Sequence, residues 1–117
     1  MQVHKFITKH AASQTQWLTK KVPHPPTQLD GNRWETFAQK VFTLNPRSSV
    51  TLLLGLGVSM ARGMCLISLR QDLKEKRCSL QDGTVCEDVD DIIITIQNNS
   101  DSPVRINEGD SLCYVTL

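Results

Sequence analysis

Asp91-Ile-Ile-Ile-Thr-Ile-Gln-Asn-Asn-Ser-Asp-Ser-Pro-Val-Arg-Ile-Asn-Glu-Gly-Asp-Ser-Leu112 reads as a strand, a polar turn, a short strand and a Gly-Asp turn into a final strand. The β-branched run 92–96 suits a pleated, half-buried surface, and Asn, Ser, Asp, Pro and Gly supply the turn chemistry between the apolar pieces. Outward from it, Leu112–Leu117 and Asp91–Gln97 are expected as strands. So are the near-continuous apolar runs Val50–Val58 and Met64–Leu69, each short enough for a strand buried in a sandwich. Phe37–Leu44 alternates as a strand packed on one face, and Asn45 to Ser49 forms the turn after it. Val3–Ile7 suits a first short strand. Thr8–Thr27 reads as an extended connector, because the prolines in His24-Pro25-Pro26 remove ladder donors and bias their predecessors away from helix. Leu73–Ser79 is ambiguous, with Asp72 placed to cap a single helical turn. About six to eight short strands indicate an all-β sandwich or jelly roll. The division expected is an N-terminal strand and connector over 1–27 and a β domain over 28–117, within one structural domain.

The chain has 117 residues, enough to bury one core without staples. Aromatic residues make up 5% of it, so Val, Ile and Leu must form that core. No apolar run reaches the roughly 20 residues of a membrane span, and no signal-peptide core follows the first residues. An intracellular protein is the expectation. Cys65, Cys78, Cys86 and Cys113 lack metal-site spacing and are read as buried free thiols. A net charge of +1 gives no general pull towards nucleic acid. Seven Lys/Arg face two acids over residues 1–47, against six facing ten over 48–117, but the cations are too dispersed to track a phosphate backbone.

In order and spacing, residues 25–117 resemble the deoxyuridine triphosphatase (dUTPase) superfamily, a trimeric jelly roll. The family's first motif, Gly-Tyr-Asp-Leu, falls on Arg33-Trp34-Glu35-Thr36, where Glu35 stands for the Asp that helps hold magnesium-bound phosphates. The second, Pro-Arg-Ser-Gly-Leu, falls on Leu69-Arg70-Gln71-Asp72-Leu73. Arg70 remains and could pair with a phosphate bidentately, but Asp72 puts a like charge where a glycine admits phosphate. The third, Gly-Val-Ile-Asp-x-x-Tyr-x-Gly, falls on Thr84 to Ile92. Glu87 then stands for the water-activating Asp and Asp90 for the tyrosine that covers the base; a carboxylate cannot stack on a pyrimidine. The fourth, Gly-Asp-Arg-Ile-Ala-Gln, falls on Gly109 to Tyr114 and puts Ser111 in place of the Arg. No match to the glycine-rich fifth motif, the arm that closes over the phosphates, is found.

The resemblance is greatest to the non-catalytic viral branch, represented by adenovirus early-region-4 first-open-reading-frame proteins, on Asn32-Arg33-Trp34 through Phe37, Phe42 and Pro46. It implies a homotrimeric adaptor for host PDZ-domain or lipid-kinase signalling proteins in the host cytoplasm or nucleus, with no cofactor. The rival is an active or residual dUTP diphosphatase using Glu35, Arg70 and Glu87 with magnesium. For an adaptor, the candidate binding residues are Trp17, Lys20 and Lys21 in a polar stretch, Trp34, and the hydrophobic-x-hydrophobic run Val115-Thr116-Leu117. Packing is an equal alternative for Trp34 and the more frequent state of a strand Leu such as Leu117. Asn98-Asn99-Ser100 matches a glycosylation sequon, and without secretion it is only a turn.

Overall fold

The computed structural model describes residues 7–8, 15–59 and 64–117, the first pair by backbone alone. Thirteen strands are present among them: β1 (Ile7–Thr8), β2 (Gln16–Thr19), β3 (Thr27–Asp30), β4 (Arg33–Phe37), β5 (Phe42–Leu44), β6 (Ser49–Leu53), β7 (Leu56–Ser59), β8 (Cys65–Leu69), β9 (Cys78–Leu80), β10 (Val85–Cys86), β11 (Ile93–Asn98), β12 (Val104–Ile106) and β13 (Ser111–Thr116). The α-helix described is α1 (Gln71–Glu75). The all-β jelly-roll expectation is met.

A five-stranded antiparallel sheet has the order β10-β8-β13-β4-β3 and a three-stranded one the order β6-β11-β9; β1-β2-β7 and β12-β5 form two further sheets. Period-2 alternation decides which side chains go inside. In β11 the pattern sends Ile94, Ile96 and Asn98 inward; in β4 it sends Trp34 and Thr36 inward. Trp34, Val115 and Ile67 stand in one row across β4, β13 and β8, and all three are buried. The core is mostly aliphatic, as the shortage of aromatics requires, and the tryptophans Trp17 and Trp34 pack within it at 5.6 Å between ring centroids.

Several runs read as single strands are broken. Val50–Val58 divides into β6 and β7 because Gly55 adopts φ +75, where glycine carries no steric penalty, and its N–H donates to Asp91 Oδ1 at 2.9 Å. Phe37–Leu44 divides into β4 and β5. At the break the Ala38 N–H donates to the Asp110 carbonyl and the Ala38 carbonyl accepts from Gly109 N–H, while the Gln39 side chain bonds the His24 backbone. The stretch read as connector contains β2, which pairs with β7 over Trp17↔Val58. Residues 3–6 of the expected first strand lie outside the described residues. The helical turn at Leu73 is present, but its cap position is Arg70 and Asp72 sits in the first turn.

Cys78 and Cys113 are buried free thiols, as expected; burial pushes Cys113 up to about 12 and raises Cys78. For Cys65 and Cys86 the expectation is corrected. They are cross-strand partners with Cα atoms 5.3 Å apart, and their sulfurs are joined. A pairing between strands 21 residues apart is invisible to local spacing.

Asn98 closes one end of the barrel-like core. Fully buried, its amide donates to the Leu44 carbonyl at 3.0 Å and the Ser102 carbonyl at 2.8 Å, and accepts from Ser100 N–H at 2.9 Å and Ser100 Oγ at 2.7 Å. The sequon is thus occupied internally, in agreement with its reading as a turn. Asn98→Asp places a carboxylate against two carbonyls, leaving both unpaired, so chemical denaturation should show a loss of about 3 kcal/mol or more, exceeding that of Asn98→Ala.

Trp17 was expected on the surface and is instead 7% exposed, against Trp34. Trp17→Ala therefore removes core volume and should destabilise by about 3–5 kcal/mol in urea or thermal unfolding, far outside the range of a surface substitution.

Candidate functional site

Strand β8 is the axis on which the family-matched residues are arranged. Arg70 follows its C-terminal end, and its N–H donates to the Leu112 carbonyl of β13. Glu87 lies at the opposite end, directly after Cys86, which pairs with Cys65 at the strand's start. Five residues of extended chain separate the two ends, about 17 Å at ~3.3 Å per residue. Glu35 is on β4, in register with Tyr114 and Ser68, on the face of the sheet turned away from Trp34. One chain therefore does not bring Glu35, Arg70 and Glu87 together. Among the described residues no three His, Cys, Asp or Glu side chains converge as a metal cradle.

Arg70 is already engaged. Its Nη2 donates to Asp72 Oδ2 at 2.7 Å and its Nε to Asp72 Oδ1, a two-pronged bond to the carboxylate. The Arg70 side chain beside Asp72 holds that carboxyl below its ordinary value, against the opposing effect of burial. The fork, where the resemblance implies a phosphate, thus holds a carboxylate supplied two residues along the same chain. Gln71, the first residue of α1, is exposed. Ser111 Oγ is buried with no protein partner among the described residues.

The acidic run has mixed duties. Val89 forms a bridge to Val58, and Asp91 caps the Gly55 N–H, so these two hold the loop to the body. Gly57 is required there: a Cβ would collide with the Asp90 carbonyl. Glu87 and Asp90 are exposed. Val58, Ser59, Asp88, Val89 and Asp90 line an open cleft of about 280 Å³. Its described lining carries the two carboxylates Asp88 and Asp90 and no aromatic ring.

The remaining candidates are placed differently from a recognition arm or tail. Trp34 is buried, and its indole N–H has no acceptor among the described residues. Lys20 is half-buried, its backbone N–H on the Gly55 carbonyl, while Lys21 is exposed. Val115 is fully buried and Thr116 is paired on both sides, with Arg33 and with Leu66; Leu117 N–H donates to the Asn32 carbonyl. Val115–Thr116 is central sheet, which cannot simultaneously serve as an extended peptide ligand.

Sequence reading passed over a second groove. Phe37, Gln39, Phe42, Leu52, Leu53 and Leu112 are among the residues lining about 350 Å³, with Lys40 at its edge. The signal was the pair Phe37 and Phe42 on either side of a backbone break, concealed when 37–44 is read as one strand. It also passed over the clasp in which His24 Nε2 meets Glu108 Oε2 at 2.9 Å, fastening the proline segment to the turn before β13.

No family model matches the chain, and no curated protein matches it by sequence. Solved structures do match. The EIAV dUTPase superposes with a TM-score of 0.72 over 87% of this chain and 85% of its own, at 6% identity. A mutant dUTPase from phage phi11 of S. aureus, known for coordinating a structural Mg(II) ion, gives 0.67 over 87% and 88%, at 16% identity. The Staphylococcus bacteriophage 80alpha dUTPase, as a mutant with dUpNHpp, gives 0.68 over 87% and 87%, at 16% identity. At these identities the likeness concerns backbone architecture: the chain has the fold of the dUTPases.

Proposed function

We propose that the chain is a non-catalytic dUTPase-like protein that acts as a homotrimeric protein-interaction adaptor. The observation that carries this reading is the Arg70 fork filled by Asp72. A phosphate arriving there would have to displace a charge-assisted bidentate bond and face the released carboxylate. Asp90 at the base-stacking position and Ser111 in place of the fourth motif's Arg support the same conclusion. Non-enzymatic roles suit this fold: phage dUTPases such as that of 80alpha control transfer of virulence genes by a proto-oncogenic G protein-like mechanism. In our reading the chain is viral, allied to the adenovirus early-region-4 proteins, and its partners are host regulatory proteins of the PDZ-domain or lipid-kinase signalling class, in the cytoplasm or nucleus. The contact surface is assigned to the acidic cleft at Val58, Ser59 and Asp90 rather than to Trp17 or the strand Val115–Thr116.

Purified protein incubated with dUTP and magnesium should show no turnover, and light scattering should give three times the chain mass. Turnover that rises with magnesium and falls on Glu87→Ala would establish the diphosphatase instead; a monomer would remove the trimer.

The fork makes a separate prediction. Asp72→Ala releases Arg70, so inorganic pyrophosphate should raise the variant's thermal midpoint by more than it raises the parent's. Equal protection of both would mean that the carboxylate does not block the site.

Asp72 should also mark the acid limb of stability. Its folded value is lowered, so the stabilisation is present above the unfolded value near 3.8 and is lost as pH falls through the folded value. The Asp72 side chain is 44% exposed, so the effect is small, and Asp72→Asn should flatten the stability profile below about pH 4 by under 1 kcal/mol.

A further inference from the structure

The turn between β11 and β12 carries Ser102-Pro103-Val104-Arg105. Ser102, Pro103 and Arg105 are exposed and Val104 is buried, so the serine, the following proline and the arginine three residues on all face solvent while the valine anchors the strand. The backbone of Ser102 is fixed. Its carbonyl accepts from Asn98 Nδ2 at 2.8 Å and from Ser100 Oγ at 3.0 Å. Its hydroxyl, by contrast, makes no hydrogen bond to the described residues.

Beside it lies an open groove of about 550 Å³ between this turn and the one joining α1 to β9. The facing side contributes Glu75, Lys76 and Arg77. Two bonds hold the turns together: Asn99 N–H donates to the Arg77 carbonyl at 3.0 Å, and Asn99 Nδ2 to Ser79 Oγ at 2.9 Å. Arg77 is held at φ +68, in the left-handed conformation that ends the helical segment. Neither Lys76 nor Arg77 forms an ion pair among the described residues, whereas Asp101 on the near side is neutralised by Arg47 at 3.0 Å. Glu75 is the remaining acid in the groove. The result is two exposed cations, in no ion pair among the described residues, lining one groove with a serine hydroxyl that bonds no described residue.

We propose that Ser102 is a phosphoacceptor for a proline-directed serine/threonine kinase, and that the phosphoserine docks across the groove onto Lys76 and Arg77. Pro103 and Arg105 supply the recognition: a proline directly after the acceptor and a cation two residues further are the features such kinases read, here presented on an exposed turn. In the transfer, Ser102 Oγ bonds to the γ-phosphorus of ATP, the bond from that phosphorus to the β-bridging oxygen breaks, ADP leaves, and the hydroxyl proton passes to the kinase's catalytic aspartate. The product places about −1.5 to −2 charges opposite two cations. It adds a third tie between turns that Asn99 already links, and converts this corner from cationic to anionic.

The test is treatment of the full folded chain with such a kinase and ATP, read by intact mass and site mapping, with Ser102→Ala alongside. One phosphate on the parent, mapped to Ser102, and none on Ser102→Ala is expected. The phosphorylated parent should then melt about 2–5 °C higher at low salt, with the gain fading as salt rises. Lys76→Gln/Arg77→Gln, exposed positions that leave the core intact, should accept phosphate equally but lose most of that gain. No phosphate on the folded chain, or phosphate only elsewhere, would overturn the acceptor assignment. An unchanged or lower midpoint, or an equal gain in the double variant, would overturn the docking.

Discussion

The buried amide of Asn98 is the constraint on which the arrangement of this molecule depends. It is one of two polar residues fully inside the core among the described residues, and all four of its side-chain hydrogen bonds go to backbone or to Ser100 Oγ. Through Leu44 it reaches β5, through Ser102 the turn into β12, and through its own N–H the Ser48 carbonyl before β6. Aliphatic burial supplies the driving force here but is non-directional. Amide geometry is what selects one register among the several that a Val/Ile/Leu core would tolerate, since a slip would strand donors and acceptors in a dry interior.

That difference explains which parts of the molecule were legible in the residues. Strand existence was readable at 65–69, 93–98 and 111–116, because alternation and turn residues are local signals. Strand interruption was less so. The breaks at Gly55 and Ala38 are fixed by partners distant in sequence, Asp91 and Asp110; Gly55 and Gly57 are themselves local signs of a weakened strand or a close backbone approach, whereas nothing in 37–44 announces the break at Ala38. Trp17 shows the same limit. Its neighbours are polar and its local segment reads as solvated, yet β7 lies alongside and Trp34 completes its pocket. Burial is decided by what arrives from elsewhere, and a tryptophan between polar residues is ambiguous until that neighbour is known. The Asp72 substitution was readable as a like charge near phosphate; that it grips Arg70 shows only in the fold, where extended Arg70 caps α1 and its side chain turns back onto the first-turn Asp72.

The clefts follow from the same economy of means. Where β7 needs close backbone approach, Gly57 provides it, and the loop after β10 then lies near enough for Val89 to bridge Val58. Scaffold residues and solvent-facing residues alternate within that loop. Asp91 and Val89 hold it, which leaves Glu87 and Asp90 free to vary without loss of the fold. An enzyme site and a protein-binding site can therefore exchange on this architecture by changing the outward members alone.

The position of β13 has a bearing on how the molecule is made. It lies between β4 and β8, pairing with both, and its partners precede it in the chain by about 45 to 80 residues. Until residues 111–116 emerge from the ribosome, β4 and β8 have no common neighbour, and Trp34, Ile67 and Leu69 lack the surface that covers them. The sheet's keystone is translated after both abutments. Nascent chains paused upstream of this segment would present an open, apolar half-sheet, the form in which a chaperone would meet the protein.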